Sequence, residues 1–557
     1  MYQARLRRRR QRTIMAVSAG LVVAVVAAGV SYLLLRPRTI GSPQQTATGY
    51  LNAWQRGSYP AMQRLSVNVP RPGLAVPLQR ADSQLGARRW RLSLGQVTSA
   101  GASAQARFRA VVDLASGHTW TYQGRLRLVT RDNRWWVSWS PAAIYPALGP
   151  GERFALSAVW PARAPVLASD GTVLSSAEAV AQSGSIALLT GIVTRASAAQ
   201  ARALGAPYQA GDLIGLGGIE QAYEQRLAGR PSLTIKIEGP GNQAGATTAR
   251  FAASPGQPVR TSIDLRYQRA ASRAVASSGT SKPVDLVAIQ PSTGRVLAVV
   301  ERPGGFDRAL EGVFPPGSTF KVVTASALAE RGMRPDSPVQ CPSQVTIDGR
   351  TFHNDNNEHL GATILQTAFA VSCNSTFALL ATQHLTGTAL GATAASFGFN
   401  ATPALGIPAT LGRFSVPRTS VDLAADAFGQ GTDLVNPLSQ ATVAGAVEAG
   451  AWRPPLLVVS PAPRQTAQPH PLPATVLDTL RPMMRAVVTS GTAAGVGFPP
   501  GVYGKTGTAE YGSGPNPPAH GWFIGYQGDL AFAVLVEGGG LGAGSAGPIA
   551  SAFLRGL

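Results

Sequence analysis

The earliest feature in the pattern of apolar and polar positions is an uncharged, mostly apolar run from Ile14 to Leu35. At about 1.5 Å of rise per residue it predicts a helix of roughly 33 Å, enough to cross a hydrocarbon layer about 30 Å thick. The stretch ATGYLNAWQRGSYPAMQRL then has helical spacing, and AQARFRAVVDLA, TWTYQGRLRLVT and RWWVSWS alternate with the period of strands. Residues 42–147 are therefore predicted as a small α+β domain, with Trp135 and Trp136 read as core residues of its sheet rather than as a ligand cleft. Residues 154–258 are irregular and end in GPGNQAGATTARFAASPGQP, whose glycines and prolines predict a linker. From 260 to 557 the pattern becomes a long α+β domain. VDLVAIQ and RVLAVVE flank the turn residues PSTG, GWFIGYQ and LAFAVLVEG flank Gly-Asp, and Ala-rich helical segments lie between these two hairpins. The fold class predicted is multidomain α+β, the last domain an antiparallel sheet with a helical insertion and a closing helix.

Charge fixes an orientation. The formal net charge is +21, and Arg5, Arg7, Arg8, Arg9, Arg10 and Arg12 all precede the apolar run. The positive-inside rule puts residues 1–13 in the cytoplasm, makes 14–35 a transmembrane anchor and places the rest outside the cell membrane. A cleaved signal peptide would carry a shorter apolar region, roughly 7–15 residues. With most of the chain outside the cytoplasm, no nucleic-acid partner is expected. The charge is also nearly all arginine: among 49 Lys and Arg residues only Lys236, Lys282, Lys321 and Lys505 are lysines. Arginine cannot replace lysine where an amine must shed its proton, so a chain this poor in lysine should keep it at sites that need an amine. Six histidines and two cysteines show no metal-ligand spacing, and no metal or other cofactor is expected.

Two of the four lysines lie in chemical motifs. In FPPGSTFKVVTASALAERG, Pro316 and Gly317 break the chain before an apolar helix. Ser318 then falls near the helix N-terminus, where free N–H groups favour developing negative charge. Lys321, three residues on, shares its face and can serve as general base if burial keeps it neutral part of the time. A capping serine followed by an ordinary helical lysine would look the same, so this pair needs partners. Ser372-Cys373-Asn374 interrupts an apolar helical stretch, although Ser66-Val67-Asn68 shows how cheaply that triplet arises. Lys505-Thr506-Gly507-Thr508 lies on a strand-like segment ahead of the last hairpin. There Lys505, Thr506 and Thr508 can grip a carboxylate, and Gly507 allows close approach of backbone to a ligand.

The order S-x-x-K, S-x-N, K-T-G within one domain is a strong signal where each motif alone is weak. Together with TSIDLRYQ, LVAIQPSTGRVLAVV, FGQG at Phe428 to Gly431 and SGTA at Ser490 to Ala493, it makes 260–557 resemble the transpeptidase domain of penicillin-binding proteins. Upstream, ARAPVLASDGTVL and GLGGIEQAYEQRLAG resemble the pedestal, or dimerisation-like module, of class B members of actinobacterial type. Arg163-Ala164-Pro165 departs from the Arg-Gly usual there. Residues 42–147 are similar to the nuclear-transport-factor-like (MecA N-terminal-like) domain that some members carry.

The resemblance implies a D,D-transpeptidase that cross-links peptidoglycan stem peptides through a Ser318 acyl-enzyme and is inhibited by β-lactams. Lys321 is then the base, Ser372 the proton relay and Asn374 the group that orients Lys321 and the substrate amide. Lys505, Thr506 and Thr508 bind the terminal carboxylate, and the Ser318 and Thr508 N–H groups form the oxyanion hole. No glycosyltransferase segment is apparent before Arg260, which argues against a bifunctional enzyme, and the resemblance allows a SEDS-family glycosyltransferase as a partner. Cys341 and Cys373 are either bridged or two small buried thiols.

Two rival readings remain. An exported class A β-lactamase needs a water-activating Glu in E-x-x-x-N after the second motif, and Glu448 has Trp452 four residues on. A non-catalytic wall-assembly scaffold or β-lactam sensor would keep the same serine.

Overall fold

The computed structural model describes residues 14–28, 40–175, 184–305, 307–355, 358–514 and 517–557. Residues 14–28 are helical, while the basic tail 1–13 and residues 29–35 of the expected anchor lie outside the described residues. No helix among the described residues is long and apolar enough to cross a membrane.

The chain forms two compact units. The first is built on a five-stranded sheet in the order Ser66–Val67, Arg134–Ser138, Thr119–Arg131, Ser103–Leu114, Ala87–Ala100. Strict alternation puts Ala104, Ala106, Phe108, Ala110 and Val112 inward against the helices Pro43–Gln55 and Ala75–Leu85. The first helix starts in a capping box between Ser42 and Gln45. Trp135 packs against this core as expected. Trp136 does not: it is partly exposed and opposite Val129 on the outward face, because adjacent strand residues point to opposite sides.

The stretch 154–258 is divided between the two units. Its terminal segment, predicted as linker, contains the strand Ala244–Phe251, which pairs with Ser232–Glu238, itself paired with Arg153–Val159 in the first unit. Ladder hydrogen bonds thus order a segment whose side chains carry no strand signal. In the second unit Arg163 donates to Glu220 Oε2 at 2.7 Å and pairs with Glu224 at 2.9 Å, all three largely buried. That clamp ties ARAPVL to the helices Gly218–Ala222 and Glu224–Ala228.

The second unit's main sheet is antiparallel, in the order Arg295–Arg302, Val284–Gln290, Ala531–Val536, Ala519–Tyr526, Tyr503–Glu510. Both predicted hairpins are present. The closing helix Ala546–Arg555 packs on one face, Phe553 against Phe532. The helix Pro437–Ala449 packs on the other, where a Cβ on Gly445 would touch Ile289 and Ala531. Tyr503–Glu510 ends the sheet, so one of its edges is free of strand partners and faces the serine-bearing turn.

Candidate active site

Ser318 lies in a 3-10 turn, Gly317–Phe320, and the α-helix proper begins at Lys321 and runs to Ala329. The serine therefore sits one tight turn ahead of the helix rather than on its first residue. Gly317 makes this possible. It has φ +52°, and a Cβ there would lie 2.4 Å from the Thr508 carbonyl oxygen. Its N–H donates to the Gly429 carbonyl at 2.9 Å, so the FGQG loop supports the turn from behind.

Lys321 is fully buried and its Nζ is the hub of the site. It donates to Ser318 Oγ at 2.8 Å, Asn374 Oδ1 at 2.6 Å, the Ser372 carbonyl at 2.7 Å and Ser372 Oγ at 3.2 Å. An ammonium has three protons, so four acceptors describe a shared set. Burial, and then the nearby Lys505 charge, push its pKa well below the ordinary lysine value. The Ser372 backbone is left-handed, φ +67°, a conformation that costs a non-glycine residue about 1–3 kcal/mol. It is held by Ser372 N–H to Phe369 O and Cys373 N–H to Ala368 O. Asn374 Nδ2 donates in turn to the His353 carbonyl at 3.1 Å, which fixes the amide orientation.

Lys505 is also fully buried, and burial lowers its pKa to about 7. Its Nζ donates to Ser372 Oγ at 2.9 Å and to the Thr506 carbonyl at 3.0 Å. In an antiparallel ladder the N–H and C=O of one residue point to the same side. The Thr506 and Thr508 carbonyls both point away from the neighbouring strand, toward Lys505 Nζ and Gly317. The Thr508 N–H therefore faces the serine-bearing turn as well.

Two details add to the sequence reading. Lys505, Thr506 and Thr508 do not share a sheet face, because period two sends the threonines to the side opposite Lys505. Lys505 Nζ nonetheless reaches the Thr506 carbonyl at the strand's free edge. A Cβ on Gly507 would meet Thr319 Cγ2 at 2.9 Å and the Pro316 carbonyl at 3.0 Å, so this glycine is required for packing against the serine turn.

Sequence reasoning assigned no role to Thr492 or Asn354. The Thr492 and Thr506 hydroxyls are 2.6 Å apart, and Thr492 N–H donates to the Ala370 carbonyl, linking the K-T-G strand to the helix before Ser372. SGTA had signalled position only. Asn354 accepts from Ser375 N–H at 2.9 Å and donates to the Pro342 and Glu358 carbonyls at 2.7 Å. No spacing pattern announces such a contact. Cys341 and Cys373 form a disulfide directly beneath this segment. Among the described residues no cluster could hold a metal ion.

A serine hydroxyl on a desolvated amine, a second hydroxyl between two amines, and a strand-edge N–H facing the serine turn fit the apparatus of a serine acyltransferase. The sequence matches the penicillin binding protein transpeptidase domain over residues 285–555, the NTF2-like N-terminal transpeptidase domain over 42–152 and the penicillin-binding protein dimerisation domain over 179–261. It is 31% identical to the peptidoglycan D,D-transpeptidase PbpA of Mycolicibacterium smegmatis over 343 residues, 51% of this chain and 68% of that protein. The PbpA of Mycobacterium tuberculosis is 29% identical over 349 residues, with the same coverage. The fold resembles the crystal structure of Pseudomonas aeruginosa PBP2 in complex with WCK 5153, with a TM-score of 0.60, 24% identity, and 72% and 96% of the two chains covered. The chain belongs to the penicillin-binding proteins.

Proposed function

We propose that this chain is a peptidoglycan D,D-transpeptidase that works through a Ser318 acyl-enzyme and is inhibited by β-lactams. The observation that carries the reading is the buried Lys321 amine 2.8 Å from Ser318 Oγ. Lys321 in its neutral form takes the hydroxyl proton as Ser318 Oγ attacks the carbonyl carbon of the penultimate D-alanine of a stem peptide. The Ser318 and Thr508 N–H groups hold the oxyanion. Collapse breaks the amide C–N bond, the proton passes through Ser372 Oγ to the leaving nitrogen, and free D-alanine departs. An amine of a neighbouring stem then attacks the ester, gives up its proton by the same relay, and frees Ser318 with a new amide cross-link formed. Asn374 orients Lys321. Lys505, Thr506 and Thr508 bind the terminal carboxylate at the strand edge.

Labelling with a fluorescent penicillin tests this: the wild type is labelled and Ser318→Ala is not. Absence of label on the wild type, or equal label on the variant, overturns it. Label that persists for hours excludes a β-lactamase, and a Ser318→Ala strain with normal wall cross-linking would favour the scaffold or sensor reading.

The chain is further proposed to be a single-pass protein of the cell membrane, with residues 14–35 as anchor and its folded units outside. The arginine-flanked apolar run supports this. A SEDS-family glycosyltransferase in the same membrane is proposed as the partner that supplies glycan strands. Resistance of the full chain to alkaline extraction from membranes tests the anchor, and co-purification tests the partner.

A further inference from the structure

Residues 42–152 hold thirteen arginines against four carboxylates. On the outward face of the first unit's sheet, Arg107 stands directly opposite Arg125 in the register, and Gln105 opposite Arg127. Arg107, Arg109, Arg125 and Arg127 are all exposed. None forms an ion pair among the described residues. The face's carboxylate, Asp113, is at the far end, held bidentately by Arg91 at 2.6 and 2.9 Å. Like charges placed opposite each other on neighbouring strands destabilise a sheet. A face that keeps them without counter-ions is built for an external anion.

The geometry points to which anion. Ile40 N–H donates to the Asn133 carbonyl at 2.7 Å, and Ile40 bridges to Arg134. The chain thus joins the sheet at the Arg131–Arg134 turn, where both arginines are exposed. Asp132 offers that turn one loose pair, 3.9 Å from Arg131. Arg127 lies four residues up the strand from Arg131, roughly 13 Å at the rise of a strand. Trp136, opposite Val129, presents a partly exposed indole on the same face as Arg127. Only four residues separate Leu35, the end of the apolar run, from Ile40, at most roughly 18 Å of extended chain over five residue steps.

We propose that this face docks on anionic phospholipid headgroups, with Arg107, Arg125 and Arg127 pairing with phosphates and Trp136 settling at headgroup level. The proposal rests on the membrane anchor argued above. Docking would hold the first unit flat on the membrane instead of leaving it free on its tether.

Both cysteines are tied up in the disulfide, so Gln105→Cys in the full chain takes a single polarity-sensitive dye at the centre of the face. The protein is placed in nanodiscs of phosphatidylcholine with or without phosphatidylglycerol. The expected result is a blue shift in the anionic discs alone, reversed by added salt and lost when Arg107→Gln, Arg125→Gln and Arg127→Gln are combined. The matching Arg→Lys triple variant keeps the shift, and penicillin labelling of Ser318 stays unchanged in both. Equal emission in the two disc types, or an undiminished shift in the Gln variant, overturns the proposal. A shift produced by a soluble polyphosphate but not by anionic discs assigns the face to a polymer and overturns the lipid. A chain that does not co-elute with discs removes the anchor, and the docking proposal with it.

Discussion

Lys505 Nζ donates to Ser372 Oγ at 2.9 Å. The same oxygen lies 3.2 Å from Lys321 Nζ, so one hydroxyl joins the amine assigned to the base and the amine assigned to the substrate carboxylate. Two cations this close, both buried, oppose each other's protonation, and the pair should titrate as a unit.

The consequence is a bell-shaped pH profile for acylation. Lys321 acts as base only when neutral, and its pKa is depressed by burial and by Lys505, so the rate should rise with pH and level off far below the ordinary lysine value of 10.5. Lys505 must be charged to hold a carboxylate, and its pKa is about 7, so the rate should fall at higher pH. Second-order labelling rates with a fluorescent penicillin across the pH range measure both limbs. A rate that climbs steadily to strongly alkaline pH would show Lys321 titrating as a free lysine. Lys321→Arg, whose guanidinium does not deprotonate, should lose about 10²–10⁴-fold in rate.

Thr492 should act on substrate binding more than on chemistry. Its hydroxyl is 2.6 Å from that of Thr506 and fixes which way the Thr506 hydroxyl turns. Thr492→Val removes one neutral hydrogen bond, about 0.5–1.5 kcal/mol, so KM for a donor stem peptide should rise roughly three- to tenfold with kcat little changed. Thr492→Ser should restore the wild-type value. A fall in kcat at constant KM would place Thr492 in the chemical step.

The disulfide should matter to the second motif in particular, because Cys373 is the residue between Ser372 and Asn374. It closes a loop with a sequence separation of 32, worth about 3–4 kcal/mol in the chain-entropy model. Mass spectrometry of the unreduced protein should find no free thiol. Cys341→Ala with Cys373→Ala should lower both Tm and the acylation rate, since Lys321 would lose fixed partners. Unchanged acylation would mean that the Asn354 hydrogen bonds suffice to hold the turn.

The chemistry was more legible in the sequence than the packing that positions it. Ser318, Lys321, Ser372, Asn374 and Lys505 could be found because identity and spacing carry chemical meaning, and scarce lysine sharpened two of them. The hairpins were legible because buried strands are apolar and bounded by turn residues. Three features were not. The strand Ala244–Phe251 has the composition of a linker and is ordered by its ladder. The packing of Gly507 against the serine turn appears only when Thr319 and Pro316 are brought beside it. Thr492 is selected by a contact across 14 residues, and no local pattern encodes that.

Asp433 offers a test of packing behind the FGQG loop. It is 1% exposed, and neither carboxylate oxygen has a hydrogen-bond partner among the described residues. Burial, and then the neighbouring Asp426, push its pKa well above the ordinary 3.8. The folded state therefore holds this proton at pH values where the unfolded chain has released it. Stability from this group is fully present below the unfolded pKa and is lost as pH rises toward the folded one. Asp433→Asn removes that dependence, so it should stabilise the protein at neutral pH by about 1–3 kcal/mol, with a gain that shrinks toward pH 4. Tm measured for both proteins across this range decides it. A variant equally or less stable at neutral pH would show that the carboxylate is ionised and satisfied in the folded protein.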